Sequence, residues 1–270
     1  MQAVSDNLIH FLGREHKGSP KKQLEVFEKI IKLGLRLNRT RITFGDDGSV
    51  HNDIVCFTDI PLSLCDEHAA NYGKFGLGFN KSSIKKCGGN PARYFIDYFP
   101  AETKGKSEAD NRGAMYKNLR SHFRLVMKLS DAVRDVDFAL YDQNRNEIFS
   151  HQQLKEWVDK QFTILSFEKE TGDLGSGRDE TKIIDSYYKE REWRLVPLYG
   201  NLGSMIHKKD DSYYYEFKRN DVNMVVTPND EIRTRVLKFL LALETETDER
   251  LKEFGQNPLP IITYDDLHKW

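Results

Sequence analysis

Residues 55–84 read VCFTDIPLSLCDEHAANYGKFGLGFNKSSI, and the fold class turns on this stretch. It opens within a β-prone run, 54–57, that halts at Thr58, Asp59, Ile60 and Pro61. Proline has no amide hydrogen to give a sheet, and its fixed φ suits a first helical turn. With Thr58 or Asp59 as its cap, Pro61 predicts a short helix through Tyr72, closed by Gly73. The chain then turns extended again, because Phe75, Gly76, Leu77, Gly78 and Phe79 alternate glycines with large side chains. In a strand that alternation lets a ligand or another backbone approach the glycines, and a bulge or a packing need is the plainer alternative.

Working outward, 7–12 is a short apolar piece around His10, and 18–20 is a turn into a helix. Leu24, Phe27, Ile30, Ile31 and Leu33 repeat at helical spacing, and Gly34 sits where that helix would close. Downstream, 88–91 reads as a loop and 93–99 as an aromatic-rich strand. Met115, Leu119, Phe123, Val126 and Met127 form a core stripe on a helix over about 108–133. A loop at 142–145 precedes a short helix around 154–158 and a β-prone run at 162–167. The glycine-rich 171–181 reads as a loop without the residue order that cradles phosphates. Strand-like runs follow at 183–188, 192–196, 213–217 and 223–226, then a helix at 232–243, an acid-rich continuation and an edge strand at 261–264. Strands and helices mix without regular βα alternation, so the expected class is α+β, one domain over 1–270 with a helical insertion at about 105–160.

With 41 basic and 42 acidic residues the net charge is -1, so no global field draws the chain to nucleic acid or anionic lipid. A local excess of +6 over 17–41 reads as a solvated face. Apolar runs such as 239–243 fall far short of the roughly 20 residues of a membrane helix, and residues 1–10 lack a secretory signal. A cytoplasmic protein without membrane partners is expected. Cys56, Cys65 and Cys87 cannot all pair and form no CxxC, which fits a reduced compartment. With His68 they are ligand types for zinc, yet they lack two close ligand pairs, so no metal is expected. The plain reading puts Cys56 in a buried strand and makes the other two small fillers.

Residues 189–195, KEREWRL, carry more charge than a strand needs. Period two puts Glu190, Glu192 and Arg194 on one face and Arg191, Trp193 and Leu195 on the other. Trp193 and Leu195 should be buried, which leaves Glu192 either on a solvated surface beside an ion-paired arginine or on a cleft wall. His10, alone among Leu8, Ile9, Phe11 and Leu12, is the second candidate, and a histidine so placed is usually structural. Thr58 is the third, as a cap or a binding residue. GxSxG and HExxH motifs are absent, so the classical hydrolase readings they mark have no support.

Taken together, residues 6–11, the helix end IIKLGL at 30–35, the run 55–62, His68 and 72–79, continued by Gly89, Asn90 and Pro91, resemble the AbiGi family of bacterial abortive-infection proteins. Those proteins defend cells against phage and are described as the antitoxin half of a two-gene system. The resemblance is best over the first hundred residues, and 190–195 is similar to an EW(R/K)-type strand of a related bacterial family. It implies a cognate toxin, antitoxin or other defence protein as partner.

The layout is similar to ADP-ribosyltransferase-like domains, which implies a mixed sheet with flanking helices and NAD as co-substrate. The roles would fall on His10 at the ribose and Glu192 at the cation that develops as nicotinamide leaves. Thr58, Tyr72, Gly76 and Phe79 would bind the cofactor, with Gly76 and Gly78 as the pocket floor. A fixed carboxylate stabilises such a cation in a site shielded from water. Nothing identifies the macromolecular acceptor. Two functions compete: an NAD-consuming effector, and a non-catalytic antitoxin or regulator. Convergence of His10, Thr58 and Glu192 on one cleft favours the first. Nucleic-acid binding through 17–41 ranks last, for want of zinc-finger spacing or an RNP-like aromatic motif.

Overall fold

A computed structural model describes residues 6–44, 47–95, 114–135, 139–141, 143–170, 191–197 and 205–266. In chain order these form β1 (Asn7–Phe11), α1 (Pro20–Leu33), β2 (Leu35–Thr43), β3 (Ser49–Thr58), α2 (Asp66–Tyr72), β4 (Gly76–Asn80), α3 (Lys81–Lys86), β5 (Asn90–Pro91), β6 (Arg93–Phe95) and α4 (Ala114–Asp135). There follow β7 (Leu140–Tyr141), β8 (Glu147–Phe149), α5 (His151–Leu165), β9 (Glu168–Glu170), β10 (Glu192–Leu195), β11 (Ile206–Lys209), β12 (Ser212–Tyr215), β13 (Val222–Thr227), α6 (Asp230–Ala242), α7 (Glu249–Gln256) and β14 (Ile261–Thr263).

The class is α+β. The main sheet runs β11-β12-β2-β3-β1-β4-β13-β14, with β10 paired to β3 and β5. Its ladders are antiparallel except for β13 and β14, which pair in parallel. Two cores hold it. Leu8, Phe27, Phe57, Phe79, Phe217 and Val236 are among the buried residues that join β1, β3, β4 and β13 to α1, α6 and α7. The second core packs Ile42, Phe44 and Ile54 against Phe123 and Val126 of α4 and Val158 and Leu165 of α5. There the Phe44 and Phe123 rings stack at 4.5 Å.

The stripe expected on α1 is present, with Leu24, Phe27 and Ile31 buried beside Gln23, whose Nε2 donates to the Leu12 carbonyl. Gly34 closes the helix at φ +93°, and a Cβ there would lie 2.4 Å from the Tyr215 carbonyl oxygen. Glycine is required because β12 pairs with β2 immediately beyond the cap.

Several local expectations are corrected. The β-prone run 162–167 is mostly helix, because Phe162 and Leu165 continue the stripe of Leu154 and Val158 at helical spacing. A capping box between Ser150 and Gln153 starts that helix at His151. Neither Thr58 nor Asp59 caps α2, which begins at Asp66 after a 3-10 turn at Leu62–Leu64. The Asp59 carboxylate instead meets Lys81 Nζ at 2.6 Å and Arg191 at 3.4 Å. Cys56 is exposed, since alternation along β3 turns Val55 and Phe57 into the core. Within the 88–91 loop, Asn90–Pro91 pairs briefly with β10. The expectations for 171–181 and 183–188 lie outside the described residues, as do residues 96–99 and 108–113.

Candidate functional site

Thr58 is where the strands that build the site meet. In register it faces Ile9 of β1 and Glu192 of β10, so residues from three distant parts of the chain become neighbours. A cavity of about 480 Å³ opens there, lined by His10, Thr58, Tyr72, Glu168, Glu192 and Arg194 among others. That volume falls in the range of small-molecule pockets.

His10 Nδ1 lies 2.8 Å from the Cys56 carbonyl oxygen. A carbonyl only accepts, so Nδ1 carries the proton in that bond. Burial lowers the His10 pKa below 6.5, partly offset by this bond, which keeps the ring neutral at pH 7 and leaves Nε2 as an acceptor. A second wall is aromatic. The His68 ring stacks on Tyr72 at 4.5 Å and lies 5.3 Å from Phe11, and the Arg14 guanidinium sits 5.0 Å above the Tyr72 ring. A flat aromatic ligand could stack on such a wall, and the arginine adds positive charge at its rim.

The third wall is carboxylate. Arg194, 5% exposed, donates from Nε to Glu192 Oε1 at 2.8 Å and from NH1 to the carbonyls of Ser166 at 2.7 Å and Glu168 at 2.9 Å. The guanidinium thus fixes Glu192 at the cavity and ties β10 to the turn before β9. Both faces of β10 are covered, with Trp193 and Leu195 in the core, so Glu192 is on a cavity wall and ion-paired at once.

Glu168 is the residue that sequence reasoning missed. Its side chain is 3% exposed, one carboxylate oxygen pairs with Arg93, and Oε2 has no partner among the described residues. Burial pushes its pKa up to about 7, although Arg93 and Arg194 pull the other way.

Three residues expected at the cofactor, Phe79, Gly76 and Gly78, do not line the cavity. Phe79 is fully buried, 5.0 Å from the Phe217 ring and 5.4 Å from that of Phe57. Gly76 and Gly78 serve packing: Cβ atoms there would lie 3.1 Å from Ile9 Cγ2 and 2.7 Å from Met224 Cγ. Neither glycine lines the cavity, because β4 is flanked by β1 and β13 and covered by their side chains. Cys65 is buried with its thiol toward the Ile60 and Pro61 carbonyls, and Cys87 Sγ lies 3.4 Å from Met205 Sδ. Among the described residues no group of three or more His, Cys, Asp or Glu is placed to hold a metal, and no helix is long and apolar enough to cross a membrane.

A solved structure of Thermus sp. 2.9 DarT in complex with NAD+ is similar at 11% identity and a TM-score of 0.36, covering 99% of each chain. No curated protein matches the sequence. The family model described as abortive phage resistance protein AbiGi, antitoxin, matches residues 48–228, and the chain belongs to that AbiGi family.

Proposed function

We propose that this AbiGi chain is an NAD-consuming effector of phage defence that transfers ADP-ribose to a macromolecule or cleaves NAD. The observation that carries the reading is the meeting of His10, Thr58 and Glu192 at one cavity, although 182 positions separate the outermost two. Glu192, held by Arg194, stabilises the cation that develops at the ribose C1′ as nicotinamide leaves. His10 Nε2 accepts a hydrogen bond from a ribose hydroxyl. The His68–Tyr72 stack receives the nicotinamide ring, and Arg14 and Arg41 attract the pyrophosphate. Thr58 fixes the geometry where β1, β3 and β10 meet.

The test is nicotinamide release from NAD by purified protein, with and without cell lysate. Glu192→Gln is expected to lower release about 100-fold or more, the typical scale for losing one preorganised electrostatic group. His10→Ala should weaken NAD binding. A second reading, a non-catalytic antitoxin that holds a cognate toxin, is favoured by the family's description. Wild-type protein that neither binds NAD nor releases nicotinamide would decide for it.

A further inference from the structure

The cavity holds a second carboxyl that the reading above leaves unused, and its surroundings differ from those of Glu192. Arg194 bridges the two by donating to the Glu192 carboxylate and to the backbone carbonyl of Glu168. Glu192 is ion-paired. Glu168 lines the cavity, is 2% exposed, and has one buried carboxylate oxygen with no hydrogen-bond partner among the described residues. Arg93 from β6 and Arg194 from β10 act on it directly, and the other charged or titratable groups of the same cavity are Glu192, Arg41, Arg14, His10, His68, Tyr72 and Cys56. Burial raises the proton affinity of Glu168 while an ion pair holds Glu192, so the two carboxyls can divide the work of a site between proton transfer and charge.

We propose that Glu168 is the catalytic base that takes the proton of the attacking hydroxyl, from an acceptor group or from water, as it bonds to the ribose C1′. This rests on the NAD-consuming reading. In the step, the C1′–nitrogen bond breaks and nicotinamide leaves neutral with the bonding pair. A C1′–oxygen bond forms, and the hydroxyl proton passes to Glu168 Oε2 and from there to solvent. Glu192 keeps its charge throughout. Burial sets the Glu168 pKa at about 7, so the base form is populated above neutrality.

The experiment measures nicotinamide release from NAD between about pH 5.5 and 9, together with calorimetric NAD binding, for wild type, Glu168→Gln, Glu168→Asp and Glu192→Gln. Wild type should rise along a limb centred near pH 7. Glu168→Gln should lose the limb and run at least about 100-fold slower at pH 8, the low side of a general-base contribution, with NAD affinity within about twofold. If that variant fails to fold, Glu168→Asp carries the test, with a slower rate and a displaced limb. A wild-type rate and limb in whichever Glu168 variant folds, while Glu192→Gln is inactive, overturns the assignment and leaves the NAD-consuming reading standing. No release by wild type at any pH removes both.

Discussion

Replacing Glu168 by glutamine keeps the shape of the side chain and removes a buried charge, so its effect on stability must depend on pH. Burial holds the Glu168 pKa at about 7 against an ordinary 4.5, which means that the fold favours the protonated acid. The stabilising contribution is therefore fully present below about pH 4.5, where folded and unfolded chains both carry the proton, and is lost as pH rises through about 7. Each pH unit between the two midpoints corresponds to about 1.4 kcal/mol. Wild type should thus lose about 3 kcal/mol relative to Glu168→Gln between roughly pH 4.5 and 8. The Arg93 pairing does little to offset this, because that arginine's side chain is 59% exposed and solvated. The assay is urea unfolding of both chains at about pH 4.5, 6, 7 and 8, read as the difference of their stabilities, so that His10 and every other shared titration cancels. A difference that stays level within about 1 kcal/mol across that range would refute the account of Glu168 as a buried acid.

Arg194→Met should destabilise the chain by about 2–4 kcal/mol in urea unfolding, since it removes a charged partner of Glu192 and the guanidinium donor of two buried carbonyls. Arg194→Lys should recover less than half, because one ammonium cannot span the three acceptors. Gly34→Ala should cost about 3 kcal/mol or more, from φ +93° and a clash with the Tyr215 carbonyl, whereas Gly18→Ala, with nothing within 4 Å of its Cβ, should stay within about 0.5 kcal/mol. Imidazole nitrogen spectra should show His10 titrating below 6.5 with the proton on Nδ1, and an Nε2-protonated ring would contradict the bond to Cys56.

How far the sequence reached depended on whether a feature is local. The α1 stripe and its glycine stop were legible because spacing and a φ that only glycine tolerates leave their mark within one element. His10, Thr58 and Glu192 were legible as chemically odd residues in strands, and their meeting was not, because it depends on β3 pairing with β1 and β10 at a single residue. The glycines of β4 misled for a related reason. A strand glycine makes room, and only the neighbouring strands decide whether Met224, Ile9 or a ligand fills it. Thr58 looked like a cap because a strand that stops before a proline usually leads into a helix, and here a 3-10 turn intervenes.

Glu168 was illegible for a stronger reason. In sequence it opens Glu168, Lys169, Glu170 after an apolar run, which reads as polar chain leaving the core. It is buried because α5 runs on to Leu165, because the turn at Ser166 then hands the chain to Arg194, and because β9 pairs in parallel with β6. None of those causes is near Glu168 in sequence. The same contacts account for its chemistry: they use the backbone of this turn to satisfy Arg194, and the Glu168 carboxyl keeps one exposed-arginine partner and one buried oxygen with no partner among the described residues. A side chain so placed weakens the fold above neutrality. Satisfying that oxygen from within the protein would remove the cost, and it would also occupy the carboxylate oxygen assigned as the proton acceptor, which has no hydrogen-bond partner among the described residues.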